Sequence, residues 1–285
     1  MIFVMNKIAK QNIYFLGIGG IGMSALARYF YNKGCQVSGY DKTPSPLTKK
    51  LEEEGILVHY EDEPTLIPEN VDFVILTPAI PSDSKELNYL RDKGVRIIKR
   101  AQVLGEISRQ CDTVAVAGSH GKTTVTSLVS HLLHYAQKPM SAFIGGIAKN
   151  INSNVIIGDE NDEVVVMEAD EFDRSFLQIT PYISIVTSID ADHLDIYGDE
   201  QQVVEAFNQF VDKTKADGVV ICNQALPIET DRKKLTYGFK DADVMARNVR
   251  VVDGMTRFSV VTTEGLDFGE YQMQLFGEHN VLNAL

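Results

Sequence analysis

The sequence has few cysteines and no long apolar run, and each shortage excludes a class of protein. Its 285 residues include only three cysteines, Cys35, Cys111 and Cys222, which lie far apart and are odd in number. That pattern is typical of reduced, buried thiols in the cytoplasm, and it argues against a disulfide framework or a zinc site. No apolar run approaches the roughly 18 residues of a membrane span. The start, MIFVMNKIAKQN, is too short and too soon interrupted by charge to be a secretory signal.

Positive charge is also scarce. The formal net charge is −12, which argues against binding to a nucleic-acid backbone, because such binding needs a surplus of Lys and Arg on at least one face. Apolar residues make up 44% and charged residues 23% of the chain, as in ordinary folded proteins. The length predicts about two domains. We therefore expect a cytoplasmic protein without membrane insertion; the sequence predicts no oligomeric state.

Short β-branched runs alternate with helical stretches along the chain. This alternation is typical of a mostly parallel sheet with helices on both faces, so we expect an α/β fold. The predicted strands include residues 13–16, 36–40, 56–58, 73–76 and 95–98, and then 113–117, 164–167 and 183–187. A boundary near residue 110 gives predicted domains 1–109 and 110–285. From residue 219 onward, strands with polar turns indicate a more antiparallel arrangement.

A glycine-rich turn follows the first predicted strand, in the stretch YFLGIGGIGMSAL. Gly17, Gly19 and Gly22 have the G-x-G-x-x-G spacing with which a strand turns into a helix beside a pyrophosphate. Asp41 closes the next strand-like run about 20 residues on, where dinucleotide-binding proteins place the acidic residue that binds a ribose. An NAD(P)-linked oxidoreductase is therefore one hypothesis.

A second phosphate-binding pattern lies in the stretch TVAVAGSHGKTTVTSLVSHLL. A β-branched strand runs into a loop and then into a helix, and the loop residues are Gly118, Ser119, His120, Gly121, Lys122, Thr123 and Thr124. In such a loop, backbone N–H groups hold phosphates, the lysine neutralises the β and γ oxygens, and a threonine hydroxyl binds Mg²⁺. The full pattern has glycine six residues before the lysine, where this chain has Val116, so the loop is a shortened form.

Acidic clusters follow the next two buried strands. The first contains Glu168, Asp170, Glu171 and Asp173, and the second contains Asp190, Asp192, His193 and Asp195. A carboxylate at the end of a buried strand is where P-loop enzymes place a second Mg²⁺ ligand. Because the ends of parallel strands meet at one edge of a sheet, we expect both clusters to converge with the phosphate loop on one crevice.

With these motifs the chain resembles the Mur ligase family, the ATP-dependent amino-acid ligases of peptidoglycan precursor synthesis. The stretches that carry the resemblance follow the family's order and approximate spacing: FLGIGGIGMSALA, AGSHGKTT, EADEFDRSF, DADHLDIYG and GEHNVLNAL. The resemblance implies a Rossmann-like, parallel-sheet first domain that binds a UDP-sugar and a P-loop ATPase-type α/β central domain that binds ATP. It also implies that the glycine turn receives a UDP pyrophosphate and not NAD.

The resemblance further implies a reaction and a set of site residues. ATP phosphorylates the carboxylate of UDP-N-acetylmuramate, and the amine of L-alanine attacks the acyl phosphate. Lys122, Glu168 and His193 are the implied catalytic residues, and Thr123, Glu168 and His193 the implied Mg²⁺ ligands; Mn²⁺ is an alternative at His193 because imidazole is softer than oxygen. The implied ATP site adds Asn280 and Asn283 to loop residues 118–124. The implied UDP-sugar contacts are Gly17, Gly19, Gly20, Gly22, Asp41, Thr77, Pro78 and Ala79.

Two departures from the family pattern qualify this expectation. Several sister ligases carry a carbamate-modified lysine at the position of Phe207, so its absence here suits the branch that adds L-alanine. The family's C-terminal, amino-acid-binding domain is expected to be absent after the stretch HNVLNAL, and the chain as given is then expected to be inactive. A recycling ligase that attaches a tripeptide to UDP-N-acetylmuramate, and a non-catalytic nucleotide-binding module, are the alternative hypotheses.

Overall fold

Strands and helices alternate along most of the chain in a computed structural model, which describes residue 8 and residues 10–148, 151–158, 164–190 and 194–285. The strands are β1 (Asn12–Leu16), β2 (Gln36–Tyr40), β3 (Leu57–His59), β4 (Phe73–Leu76), β5 (Ile97–Lys99), β6 (Asp112–Ala117), β7 (Met140–Ala148), β8 (Ser153–Ile156), β9 (Val164–Glu168), β10 (Ile183–Val186), β11 (Val219–Asn223), β12 (Lys233–Gly238), β13 (Val244–Val252), β14 (Met255–Thr262) and β15 (Asp267–Met273).

The α-helices vary from one turn to four turns in length. They are α1 (Ile21–Asn32), α2 (Pro46–Glu53), α3 (Lys85–Asp92), α4 (Arg100–Gln110), α5 (Lys122–Tyr135), α6 (Leu194–Tyr197), α7 (Glu200–Asp212) and α8 (Glu278–Ala284). Short 3₁₀ helices span Pro64–Leu66 and Phe172–Gln178. Within the described segments, none of the helices has both the length and the apolar character needed to cross a membrane.

The chain divides into two compact units that are not each continuous in sequence. The first unit consists of Met1–Cys111 and Gln137–Val165, and the second consists of Asp112–Ala136 and Val166–Leu285. The chain therefore passes between the units three times. The hairpin of β7 and β8 belongs to the first unit, although it follows β6 and α5 in sequence.

The first unit contains a parallel sheet in the order β3-β2-β1-β4-β5. Leu16 at the end of β1 pairs with Tyr40 of β2 and with Leu76 of β4, so the loops after these three strands begin at the same edge. The strand order reverses between β1 and β4, and open parallel sheets bind ligands at such a reversal. Residues 13–16 are at most 1% exposed, as expected for a central strand covered on both faces.

The β7–β8 hairpin packs against α1 within the first unit. The rings of Tyr29 and Phe143 meet edge to face with centroids 5.1 Å apart. Arg28, which is 4% exposed, donates a hydrogen bond of 2.6 Å to the Asn154 side chain. Asn154 in turn donates to the backbone oxygen of Ile21 at 2.6 Å. The hairpin thus covers one side of the helix that follows the glycine turn.

The larger sheet of the second unit runs in the order β15-β14-β13-β12-β11-β10-β6-β9. Strands β10, β11, β12 and β13 pair in parallel, and so do β6 and β10. Antiparallel pairing starts at β13 and continues through β15. The sequence-based expectation of antiparallel strands from residue 219 is therefore wrong for β11 and β12, which extend the parallel part of the sheet. The α/β class and the two predicted architectures are confirmed.

The loops that carry the acidic and glycine-rich motifs begin at one edge of this sheet. Val186 at the end of β10 pairs with Ala117 at the end of β6. Just past β9, the Ala169 N–H donates to the Val116 oxygen at 2.8 Å. The residues that follow β6, β9 and β10 consequently leave the sheet at the same level.

Candidate functional site

The glycine turn of the first unit joins the ends of β1, β2 and β4. Gly17 has φ +85°, and its N–H donates to the Tyr40 oxygen at 2.8 Å. A Cβ at this position would lie 2.3 Å from the Thr77 methyl group, so only glycine fits here without a shift. The structure thus brings together Gly17, Asp41 and Thr77. Pro78 and Ala79 follow as exposed residues of the β4 loop.

Asp41 holds this turn through its carboxylate. One oxygen accepts the Gly19 N–H at 2.7 Å, and the other accepts the Thr43 N–H at 3.2 Å. A Cβ at Gly19 would lie 2.6 Å from the Thr48 methyl group. Asp41 therefore acts in this structure as a support of the loop.

A basic side chain that the sequence analysis did not select lies beside the same turn. A Cβ at Gly22 would come within 2.4 Å of Arg100 Nη1, so the guanidinium lies against the first turn of α1. Gly20 is the N-cap of α1, which has no side-chain cap. A helix N-terminus and a guanidinium both favour an anion. Arg100 gave no signal in sequence because it lies in α4, far from the glycine motif.

The phosphate loop of the second unit depends on two glycines. Gly118 has φ +139° and Gly121 has φ +87°, conformations that favour glycine. A Cβ at Gly118 would lie 2.1 Å from Thr187 Oγ1, and one at Gly121 would lie 2.7 Å from Asn283 Oδ1. Helix α5 begins at Lys122 with no side-chain cap. Its first N–H groups therefore have no partner from the helix itself, which suits a bound phosphate.

The segment after β10 fixes the shape of the phosphate loop. Ser188 accepts the Ser119 N–H with its backbone oxygen at 3.1 Å and the His120 N–H with its hydroxyl at 2.9 Å. The Thr187 hydroxyl donates to the backbone oxygen of His120. The Asp190 N–H donates to the Ser119 hydroxyl at 2.9 Å. Thr187 and Ser188 were not selected from the sequence, although two hydroxyl residues directly after a buried strand were a usable signal.

Lys122 forms a close ion pair with Glu171. Lys122 Nζ lies 2.9 and 2.8 Å from the two carboxylate oxygens and 2.6 Å from the Gly118 oxygen. The side chains of Lys122 and Glu171 are 17% and 5% exposed. Tyr197 donates from its hydroxyl to the backbone oxygen of Glu171 at 2.6 Å, and burial, followed by the charge of Glu171, raises the pKa of Tyr197 to about 12.

The predicted metal ligands are only partly described by the structure. Glu168 is half-buried at the end of β9, and Thr123 is exposed in the first turn of α5. His193 lies outside the described residues, as does Asp192. Among the residues that the structure describes, no three His, Cys, Asp or Glu side chains are grouped to hold a metal ion.

The two asparagines of α8 lie differently with respect to the phosphate loop. Asn283 faces Gly121, because a Cβ built at Gly121 would lie 2.7 Å from Asn283 Oδ1. Asn283 also lines an apolar cavity of about 180 Å³ between α5 and α8. Asn280 donates to the Phe276 oxygen at 2.7 Å. The other side chains that line this cavity are mostly aliphatic, and Tyr237 is the second lining residue with a polar atom.

Comparison with known families tests the resemblance inferred from the five motifs. A model described as "Mur ligase middle domain" matches residues 116–285, and a model described as "Mur ligase family, catalytic domain" matches residues 12–111. The chain belongs to the Mur ligase family. The sequence-based resemblance is therefore confirmed.

Several proteins related to this Mur ligase chain are named UDP-N-acetylmuramate–L-alanine ligase. The UDP-N-acetylmuramate–L-alanine ligase of Cytophaga hutchinsonii is 43% identical over 98% of this chain and 62% of its own length. The ligase of the same name from Flavobacterium psychrophilum is 46% identical over 99% of this chain and 62% of its own length. The Mur ligase chain thus spans a little under two thirds of the length of these relatives.

Two solved structures are similar to the Mur ligase chain over nearly all of its length. The UDP-N-acetylmuramate-alanine ligase of Thermotoga maritima has a TM-score of 0.84 at 29% identity, covering 95% of this chain and 62% of that protein. The UDP-N-acetylmuramate:L-alanyl-gamma-D-glutamyl-meso-diaminopimelate ligase of Neisseria meningitides has a TM-score of 0.86 at 25% identity. The match covers 97% of this chain and 91% of that protein.

Proposed function

We propose that this chain is the UDP-sugar-binding and ATP-binding part of a ligase that joins L-alanine to UDP-N-acetylmuramate. The single observation that carries the proposal is the half-buried Lys122 at the uncapped start of α5 in a member of the Mur ligase family. The L-alanine specificity is supported by relatives named for it at 43 and 46% identity. The reaction is the phosphorylation of a carboxylate by ATP, followed by attack of an amine on the acyl phosphate.

The residues of the phosphate loop have separate roles in this proposal. The first N–H groups of α5 and the Lys122 ammonium bind the phosphates of ATP and stabilise the charge that develops as the γ-phosphoryl group leaves. Thr187 and Ser188 keep the loop in shape through their hydrogen bonds to residues 119 and 120. Asn283 and the cavity between α5 and α8 receive the adenine.

The donor set in the second unit fits Mg²⁺. Thr123 offers a hydroxyl oxygen and Glu168 a carboxylate oxygen, and Mg²⁺ prefers one or two such protein oxygens together with water and phosphate oxygens. When bound, the ion would neutralise phosphate charge during the transfer. Thr123 and Glu168 are therefore the residues that would hold it; His193 is proposed as a further ligand from the family resemblance alone.

The first unit is proposed to bind UDP-N-acetylmuramate. The start of α1 and Arg100 form an anion-favouring corner beside the glycine turn, while Asp41 supports the loop. Thr77, Pro78 and Ala79 border the same turn from β4. Calorimetry on the 285-residue chain tests this assignment: UDP-N-acetylmuramate should bind and NADH should not. Micromolar binding of NADH without binding of the UDP-sugar would refute the ligase proposal.

A ligase that attaches a tripeptide is the second candidate. It is favoured by the match to the Neisseria protein, whose name gives a tripeptide as the molecule joined to UDP-N-acetylmuramate and of which this chain covers 91%. The two candidates share the ATP and UDP-sugar steps and differ only in the amine. Phosphate release by the full-length protein with L-alanine or with the tripeptide L-alanyl-γ-D-glutamyl-meso-diaminopimelate distinguishes them.

The role of Lys122 is tested by substitution in the full-length protein. Replacing Lys122 with alanine removes the cation that meets transition-state charge, so turnover should fall roughly 10²–10³-fold, as for the loss of an oxyanion donor. Turnover is measured as amine-dependent phosphate release. A loss of turnover smaller than about tenfold would show that Lys122 contributes only to the structure of the loop.

A further inference from the structure

The Lys122 ammonium has its hydrogen-bonding capacity filled by acceptors of its own unit. A protonated lysine has three N–H donors. Lys122 Nζ lies 2.6 Å from the Gly118 oxygen, 2.9 and 2.8 Å from the two Glu171 carboxylate oxygens, and 3.4 Å from the Ser119 oxygen. A phosphate oxygen that binds Nζ must therefore replace one of these acceptors.

Of the three acceptor residues, Glu171 is the one that can give way. The Gly118 and Ser119 oxygens belong to the loop backbone, and Gly118 is packed so closely that a Cβ would lie 2.1 Å from Thr187 Oγ1. The Glu171 carboxylate is at the end of a rotatable side chain, and it carries the same sign of charge as a phosphate. Like charges at such distances repel strongly away from bulk water.

Glu171 is also placed so that it can fix the conformation of the Lys122 side chain before a phosphate binds. A free lysine side chain has many rotamers, and fixing it costs conformational entropy. Glu171, 4% exposed, gives the ammonium two charge-assisted hydrogen bonds at the start of the loop. Its own backbone is fixed by the 2.6 Å hydrogen bond from the Tyr197 hydroxyl.

We infer that Glu171 is a positioning residue for the phosphate-loop lysine: it holds Lys122 Nζ beside Gly118 and yields one hydrogen bond to an incoming phosphate oxygen. The inference rests on the proposed binding of ATP by this loop. It predicts that the Lys122–phosphate attraction is partly offset by the loss of a Glu171 contact. Removing the carboxylate charge should then strengthen the binding of a triphosphate.

The test compares two nucleotides on the 285-residue chain by calorimetry at constant Mg²⁺. Glu171→Gln keeps the side-chain shape but replaces charge-assisted acceptors by one neutral acceptor, so the Kd of ATP should fall about three- to tenfold. The Kd of AMP, which has no β- or γ-phosphate, should change less than about twofold. Asp173→Asn is the matched control, because it removes one carboxylate charge from an exposed residue of the same segment; it should leave both Kd values within about twofold of wild type.

The outcomes separate this inference from the proposed function. A wild-type chain that binds no ATP overturns the proposed function and the inference with it. Wild-type binding combined with a Glu171→Gln effect no larger than that of Asp173→Asn, or with weaker ATP binding, overturns the inference alone. Tyr197→Phe is a second variant, which retains both charges and removes only the hydrogen bond to the Glu171 backbone. It should lower the Kd of ATP by about threefold, which is more than the Asp173→Asn control should do. Unchanged or weaker ATP binding in this variant also overturns the inference, including when Glu171→Gln does not fold.

Discussion

At the scale of single residues, a buried polar cluster in the first unit joins β1, β3 and α3. The Tyr14 hydroxyl donates to a Glu86 carboxylate oxygen at 2.5 Å and lies 2.6 Å from His59 Nε2. The Glu63 N–H donates to the other Glu86 oxygen at 3.1 Å. Glu86 is fully buried, and burial raises its pKa to about 7, while burial lowers the pKa of His59.

The raised pKa of Glu86 predicts a pH dependence of stability. The folded pKa of about 7 lies above the ordinary glutamate value of 4.5, so the folded state binds more protons between these pH values. Its contribution to the free energy of unfolding is therefore present at low pH and lost as pH rises from about 4.5 to 7, by up to about 3 kcal/mol. Glu86→Gln cannot titrate, so its stability relative to wild type should increase over this range.

Urea unfolding at several pH values measures this difference. His59 contributes the opposite slope, because a lowered pKa makes the folded state lose stability as pH falls. Since His59 Nε2 lies 3.5 Å from Glu86, the difference between the two proteins reports the titration of this pair. Glu69→Gln is the control, since Glu69 is exposed, and its curve should parallel that of wild type. A Glu86→Gln curve that also runs parallel to wild type would show that Glu86 does not titrate in this window.

The residues that sequence could predict are those whose requirement is local. Gly17, Gly118 and Gly121 follow from backbone geometry, since each has positive φ in the structure. The residues that contact these loops could not be predicted in this way, because Glu171 and Ser188 reach the phosphate loop only when β6, β9 and β10 pair in the folded sheet. One carboxylate in a run of four cannot be selected from its spacing when the choice depends on which one faces Lys122.

At the scale of elements, α8 is anchored by packing and not by its own length. It has seven residues, and isolated helices need roughly 12–15 residues to be stable in water. Val281 is fully buried, in a cluster with Ala246 and Phe258. The sheet below therefore holds the helix that carries Asn280 and Asn283.

The packing of α8 gives a stability prediction. Val281→Ala leaves a cavity under a helix that is too short to be stable in isolation, so the free energy of unfolding of the second unit should fall by about 2 kcal/mol. Hydrogen exchange of α8 should accelerate more than that of the β6 strand. Val251→Ala is the matched control, because Val251 is 62% exposed. Equal losses in the two variants would contradict the anchoring role.

Elements were predictable where their pattern is local and missed where their partner is distant. Strand β4 has the predicted bounds, Phe73–Leu76, because a short apolar run between polar turns is a local signal. The β7–β8 hairpin was not predicted. Its contact between Asn154 and Arg28 joins residues 126 positions apart, and no window of sequence contains both.

At the scale of the whole molecule, the first unit needs a segment that the chain supplies only after entering the second unit. Residues 137–165 belong with residues 1–111. Their contacts with α1 include Asn154 to Arg28 at 2.6 Å, Asn154 to Ile21 at 2.6 Å, and Phe143 to Tyr29 at 5.1 Å between ring centroids. Helix α1 follows the glycine turn, so the hairpin stabilises the proposed UDP-sugar site.

A chain cut after residue 111 should therefore lose protection in α1 and keep it in α3. Without the hairpin, Arg28 loses a buried partner and Tyr29 loses an apolar contact, so hydrogen exchange of α1 should accelerate at least about tenfold relative to the 285-residue chain. Helix α3 is the internal control, because Leu87 and Leu90 pack in a cluster with Tyr14 and Val74, all within residues 1–111. If the cut segment does not fold, Asn154→Ala in the whole chain should produce the same contrast, since it removes the hydrogen bonds that Asn154 makes with Arg28, Ile21 and Ser24 of α1. No acceleration in α1 would show that residues 1–111 hold α1 without the hairpin, and equal acceleration of α1 and α3 would show a general loss of stability with no specific role for the hairpin.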